Sequence, residues 1–216
     1  MSVKVDERAY RTLTLFLISC QSTVGEEVLK AYFSYKGEIP ATFEDILGDY
    51  AWTIEKVPNN VFLKLIQYAE SNAVSILTAE MICLYFGSEE HLDTAKNSCI
   101  VYGDLTQEQK IAGHLTLPVR ITSITDGKIS GEITYNGLEV DNIFDVVGNV
   151  QIGDIVLIHF ATIVLYNPSP DLVTRLTKMQ NHFAITELKN ITKLKYPITL
   201  DNTIKRLHKY TSLRHN

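Results

Sequence analysis

The sequence predicts an α+β protein: a helical N-terminal domain, then a small antiparallel OB-like β-barrel, then C-terminal helices. Two observations carry this. Residues 6–112 place apolar side chains at helical spacing, whereas Gly113 to Leu165 alternates short apolar runs with glycine-bearing turns. Asp126-Gly127, Asn136-Gly137 and Gly148-Asn149 are pairs that enter the left-handed region cheaply and suit tight reversals. Strands so short and so often reversed are best protected by closing on themselves, because a closed barrel leaves no open edge.

In chain order, Leu13, Phe16, Leu17 and Cys20 share one face of a helix over Arg8 to Cys20, although the run Leu13 to Ile18 also suits a strand. Ser22 or Thr23, with Glu26 as capping-box partner, starts a helix that reaches Gly37. Thr42 to Leu47 is a short helix. Pro58 opens another over Asn59 to Ser71, with Phe62, Leu65, Ile66 and Ala69 turned inward. Ile76 to Phe86 reads as a helix stopped by Gly87, and Ser88-Glu89-Glu90 starts the next. Thr106 to Lys110 is a last short polar helix. The strands follow at Leu115 to Ile121, Ile129 to Tyr135, Leu138 to Phe144 and Ile155 to Leu165. Ser169 and Pro170 open a helix to Gln180, with Leu172, Val173, Leu176 and Met179 on one face. Phe183 to Leu188 reads as a further short element, and Asp201 caps a final helix bearing Ile204, Leu207 and Leu213. The domains are therefore 1–112, 113–168 and 169–216.

Charge is unevenly spread beneath a net value of −5. Residues 1–112 hold 9 basic against 16 acidic side chains, residues 113–168 hold 2 against 6, and residues 169–216 hold 9 against 3. A basic tail on an acidic body packs onto that body or meets an acidic partner. No apolar run reaches the ~20 residues that span a bilayer. The N-terminus lacks the apolar stretch of a signal peptide, and Cys20, Cys83 and Cys99 form no metal-ligand spacing. A cytoplasmic protein without cofactor or bound metal is expected.

Phosphate loops, His-Glu-x-x-His, nucleophile elbows and paired carboxylates are missing from the sequence, so no catalytic residue is expected. His114 and His159 stand out on apolar strands that can be neighbours. Their plain reading is one solvated histidine and one satisfied inside the barrel mouth; a two-histidine surface or a weak metal site is the alternative.

Three segments resemble the HypC/HupF hydrogenase-maturation chaperones. His114-Leu115-Thr116-Leu117-Pro118 stands where that family opens with Cys-Leu-Ala-Ile-Pro. Asn136 to Val140 matches its glycine turn and next strand, and Val150 to His159 its Gly-Asp strand ending in histidine. The resemblance covers about a third of the chain, residues 113–180, and implies an OB-like barrel that docks onto a maturation factor or a metalloenzyme precursor. The family's working cysteine is His114 here, so iron carriage through a thiolate is not expected. The glycine that follows the family's histidine is also absent, since Phe160-Ala161-Thr162 follows His159. The expected function is thus non-enzymatic, chaperone-like protein binding. His114, Leu115, Leu117, Pro118 and His159 form the expected exposed docking face. The alternative is nucleic-acid binding by the barrel and basic tail. Arg120 and Lys128 are the barrel's only cations, so a polyanion is disfavoured there.

Overall fold

The structure, a computed structural model, describes residues 4–5, 7–20, 61–98, 107–145, 147–187 and 193–195. The helices expected at residues 22–37, 42–47 and 201–214 lie outside the described residues.

The chain is α+β. A mixed six-stranded sheet curls on itself, and helices pack against it. Glu7–Cys20 is helical (α1), as its apolar spacing requires, with Leu13 and Phe16 fully buried. Val61–Ser71 (α2) turns Leu65 and Ala69 inward. The helix expected from Ile76 begins three residues later. Ile76–Leu77 is a short strand (β2) that pairs in parallel with Lys4–Val5 (β1). Thr78 then caps Ala79–Phe86 (α3), its hydroxyl accepting from the Met81 N–H. A threonine offers a side-chain acceptor at the point where backbone N–H groups lose theirs, and this fixes the boundary.

Ser88 caps Glu89–Ser98 (α4) in the same way, through the His91 N–H. Gln107–His114 (α5) runs across the 112/113 boundary drawn from sequence. His114 therefore ends a helix and does not lie on a strand.

The strands are Leu117–Thr125 (β3), Lys128–Ile133 (β4), Glu139–Ile143 (β5), Ile155–His159 (β6), Thr162–Tyr166 (β7) and Lys193–Lys195 (β8). The sheet order is β7-β6-β3-β4-β5-β8. All neighbours are antiparallel except β5 and β8. Beyond the end of β5 the curl brings Phe144 against Thr162 in a parallel bridge. The Phe144 N–H donates to the Ala161 carbonyl at 2.7 Å, and the Ile163 N–H to the Phe144 carbonyl at 2.9 Å.

The stretch expected as one strand, Ile155 to Leu165, is two. They are joined by a two-residue turn at Phe160 and Ala161, whose φ values are 44° and 61°. Both central residues in the left-handed region is the geometry of the favoured tight hairpin, usually met with Asn-Gly. Neither residue is present, so no local turn signal marks the reversal.

Pro170–Glu187 (α6) absorbs the element expected at Phe183 to Leu188. It starts on Ser169, whose hydroxyl accepts from the Leu172 N–H, and buries Leu172 and Leu176. The described part of the basic tail packs onto the acidic body: the Lys193 ammonium stands 2.9 Å from Glu139 and 2.8 Å from Asp141, beside buried Leu194. The apolar interior is continuous across helices and sheet, since Leu92, Ile111 and Ala112 join Leu117, Val119, Val140, Val156 and Ile163 in one cluster. Among the described residues, no helix is long and apolar enough to cross a membrane.

Candidate functional site: a buried histidine and aromatic cluster

His159 ends β6 with its side chain turned into the space between the sheet and α1, and it is fully buried. Alternation along the strand does not settle this, because Val156 to Phe160 is buried on both faces. The helices cover the second face. His114 reaches the same space from the last turn of α5, and His91 from the first turn of α4. Ring centroids lie 6.1 Å apart for His114 and His159, 5.9 Å for His91 and His159, and 6.2 Å for His91 and His114. Three elements far apart in sequence thus deliver a nearly equilateral triangle of imidazoles.

Aromatic rings enclose it. Phe16 and Phe86 stack at 4.1 Å and meet His159 at 5.1 and 5.7 Å. Phe86 and Tyr85 meet His91 edge-on or tilted at 4.7 and 5.6 Å, and Phe160 meets His114 at 4.4 Å. Such geometry lets the positive ring edge face the negative ring face.

The electrostatics follow from dryness. Burial holds His159 well below the ordinary histidine range, and the His91 and His114 rings push it the same way. A backbone hydrogen bond to Leu115 partly opposes them. The Tyr85 phenol is pushed up, first by burial and then by Glu90, and the Cys83 thiol is raised by burial and Glu80 against an opposing pull from Arg8. Both therefore stay neutral at ordinary pH.

The expected docking face must be corrected. Leu115, Leu117 and Pro118 are buried, His159 is fully so, and His114 is only 8% exposed. The physical reason is that α1, α3, α4 and α5 pack over this end of the curled sheet. The structure brings His114 and His159 together, but from the end of a helix and the end of a strand and not from neighbouring strands as expected, and it adds His91. The sequence carried no motif for His91; its one signal is position, a histidine beside apolar Leu92 on an otherwise polar helix. Among the described residues, no group of three or more His, Cys, Asp or Glu is placed to hold a metal ion.

The chemistry that imidazoles bring to this site is the exchange of protons. Comparison with protein-family models, with curated proteins and with solved structures finds no match.

Proposed function

We propose that the curled sheet is a small OB-like barrel, and that the chain is a non-enzymatic, chaperone-like protein that binds a maturation factor or a metalloenzyme precursor. The observation that carries the reading is the strand circuit. Counted along the sheet's own five long strands, the first pairs with the second and fourth, the second with the third, and the fifth with the fourth. The third then meets the fifth in parallel through Phe144 and Thr162. A Greek-key circuit of this kind is what a five-stranded OB-like barrel would have, which supports the reading, and most of the three HypC-like segments lie on it.

The contact surface is at the opposite end from the histidines. Ile124, near the far end of β3, is 39% exposed. Ile152, on the turn into β6, is 65% exposed and adjoins Gly153, whose N–H donates to the Ile121 carbonyl. Covering an isoleucine contributes about 1.5–3 kcal/mol, so this end can anchor a protein contact where the buried Leu115 and Leu117 cannot.

The test is capture by immobilised protein with identification by mass spectrometry, comparing wild type with an Ile124→Asp/Ile152→Asp double variant of equal thermal stability. Loss of a stoichiometrically captured hydrogenase-type precursor or maturation factor supports the reading. Equal capture by both proteins rejects this surface. Salt-sensitive binding of a single-stranded oligonucleotide, read by anisotropy on the purified protein, would replace the reading with nucleic-acid binding.

A further inference from the structure

The curl of the sheet leaves part of β5 to be covered by another strand. Where Phe144 meets Thr162, the chain beyond β5 is joined to the β6–β7 hairpin. Asn142, at a φ of 58°, turns the backbone just before that bridge. A residue held in the left-handed region breaks the even run of a strand, so the outer edge left for pairing is Glu139, Val140 and Asp141. β8 fills it in parallel, residue for residue: Glu139 pairs with Lys193, Val140 with Leu194 and Asp141 with Lys195.

Two side chains hold this short strand. Leu194 is fully buried in the apolar cluster that includes Val140. The Lys193 ammonium stands 2.9 Å from Glu139 and 2.8 Å from Asp141, with all three side chains partly open to water. Ion pairs so exposed add little, and a three-residue ladder must offset the entropy of ordering its own backbone. Such an element belongs to the low-stability end of a fold and opens ahead of the strands around it.

The chain also carries a near-copy of this strand. Ile185 to Lys189 reads Ile-Thr-Glu-Leu-Lys, and Ile191 to Lys195 reads Ile-Thr-Lys-Leu-Lys. The two pentads share one apolar pattern and differ at a single position, Glu187 against Lys193. α6 ends on Glu187, whereas the second pentad supplies β8. A glutamate at the lysine's place would face Glu139 and Asp141, and like charges set opposite each other on a sheet are destabilising. Charge, and not apolar pattern, therefore selects the segment that docks.

We propose that the Glu139–Asp141 edge of β5 is a strand-docking site for an extended segment of a partner protein that carries a lysine or arginine followed by a leucine-sized residue, with β8 as its resident in the free chain. The incoming main chain supplies the ladder, the apolar side chain takes the Leu194 position, and the cation sits on the two carboxylates. β8 competes from the same chain at high effective concentration, so the partner gains the edge only by outbinding a tethered rival. Neither Ile124 nor Ile152 is part of this edge.

Fluorescence anisotropy on the full chain tests this, with a dye-labelled Ile-Thr-Lys-Leu-Lys-Tyr peptide and its Ile-Thr-Glu-Leu-Lys-Tyr counterpart. Leu194→Asp, which expels β8 from the core, should bind the lysine peptide at least about tenfold more tightly than the wild type does. The glutamate peptide should bind that variant about tenfold more weakly or not at all, as should the lysine peptide once Glu139→Lys and Asp141→Lys are added. If Leu194→Asp does not fold, Lys193→Glu, which keeps Leu194, takes its place. Equal binding of the two peptides overturns the proposal, as does a folded variant that binds neither. Failure of both variants to fold would make β8 an integral strand and overturn it too. A wild-type dimer seen by light scattering, with no peptide bound by the released variant, would give the edge to a second copy and equally overturn it.

Discussion

Packing around the histidines is tightest at Gly113, one residue before His114. A Cβ added there would lie 2.3 Å from the Phe160 ring, well inside contact distance. Glycine is needed at this position for close approach. Gly113→Ala should therefore cost about 1–3 kcal/mol, the usual range for overpacking, measured by urea denaturation. Combining it with Phe160→Leu should recover part of that loss, because the nearest atoms to the added Cβ are those of the ring edge. His159→Ala should cost about 2–4 kcal/mol, in the range of core truncations. An exposed docking histidine would cost almost nothing, so this measurement separates the two placements. At this scale the sequence was half legible: His114 and His159 stood out for their apolar neighbours, but rings that cover His159 come from elements some seventy to one hundred and forty residues earlier, Phe86 and Phe16.

Among the elements, those with strong local signals were legible and those held by tertiary contacts were not. α1, β4, β5 and the start of α6 follow from periodicity, turn pairs or caps in their own residues. β2 is a two-residue strand that exists because Lys4–Val5 lies beside it, a fact absent from its own sequence. The β6–β7 reversal lacks the usual turn residues, and hydrogen bonds with Gly113 and Phe144, together with the packing of Phe160 on His114, help to hold it. The loop from β5 to β6 is instead tied by side chains, above all by Asp145. Asp145 accepts from the N–H groups of Val147, Gly148 and Val150, and from the Tyr166 hydroxyl. Hydrogen bonds to a charged group contribute about 1.5–3 kcal/mol, so Asp145→Ala should destabilise by about that much. It should also speed hydrogen exchange at residues 147–150 before the strands themselves. Tyr166→Phe removes one of the four contacts and should cost about 1 kcal/mol.

For the whole molecule, the α+β class was legible because helical and strand periodicities occupy separate halves of the chain. The continuity of the core was not. Leu92, Ile111 and Ala112 pack with the strands, and nothing in a linear pattern says which helix face meets which sheet face. That continuity makes global stability pH-dependent as well. His159 is depressed when folded and ordinary when unfolded, so the unfolded chain holds more protons below about pH 6.5 and stability rises with pH through that window. The unfolding free energy from urea titrations should fall, as pH drops below about 6.5, by up to about 1.4 kcal/mol per unit for one such proton. A steeper fall would count further histidines refused by the core. Stability that is flat between pH 7 and pH 5, in wild type and His159→Gln alike, would mean that the folded chain hydrates the cluster freely, and neither its burial nor its charge could then govern the fold.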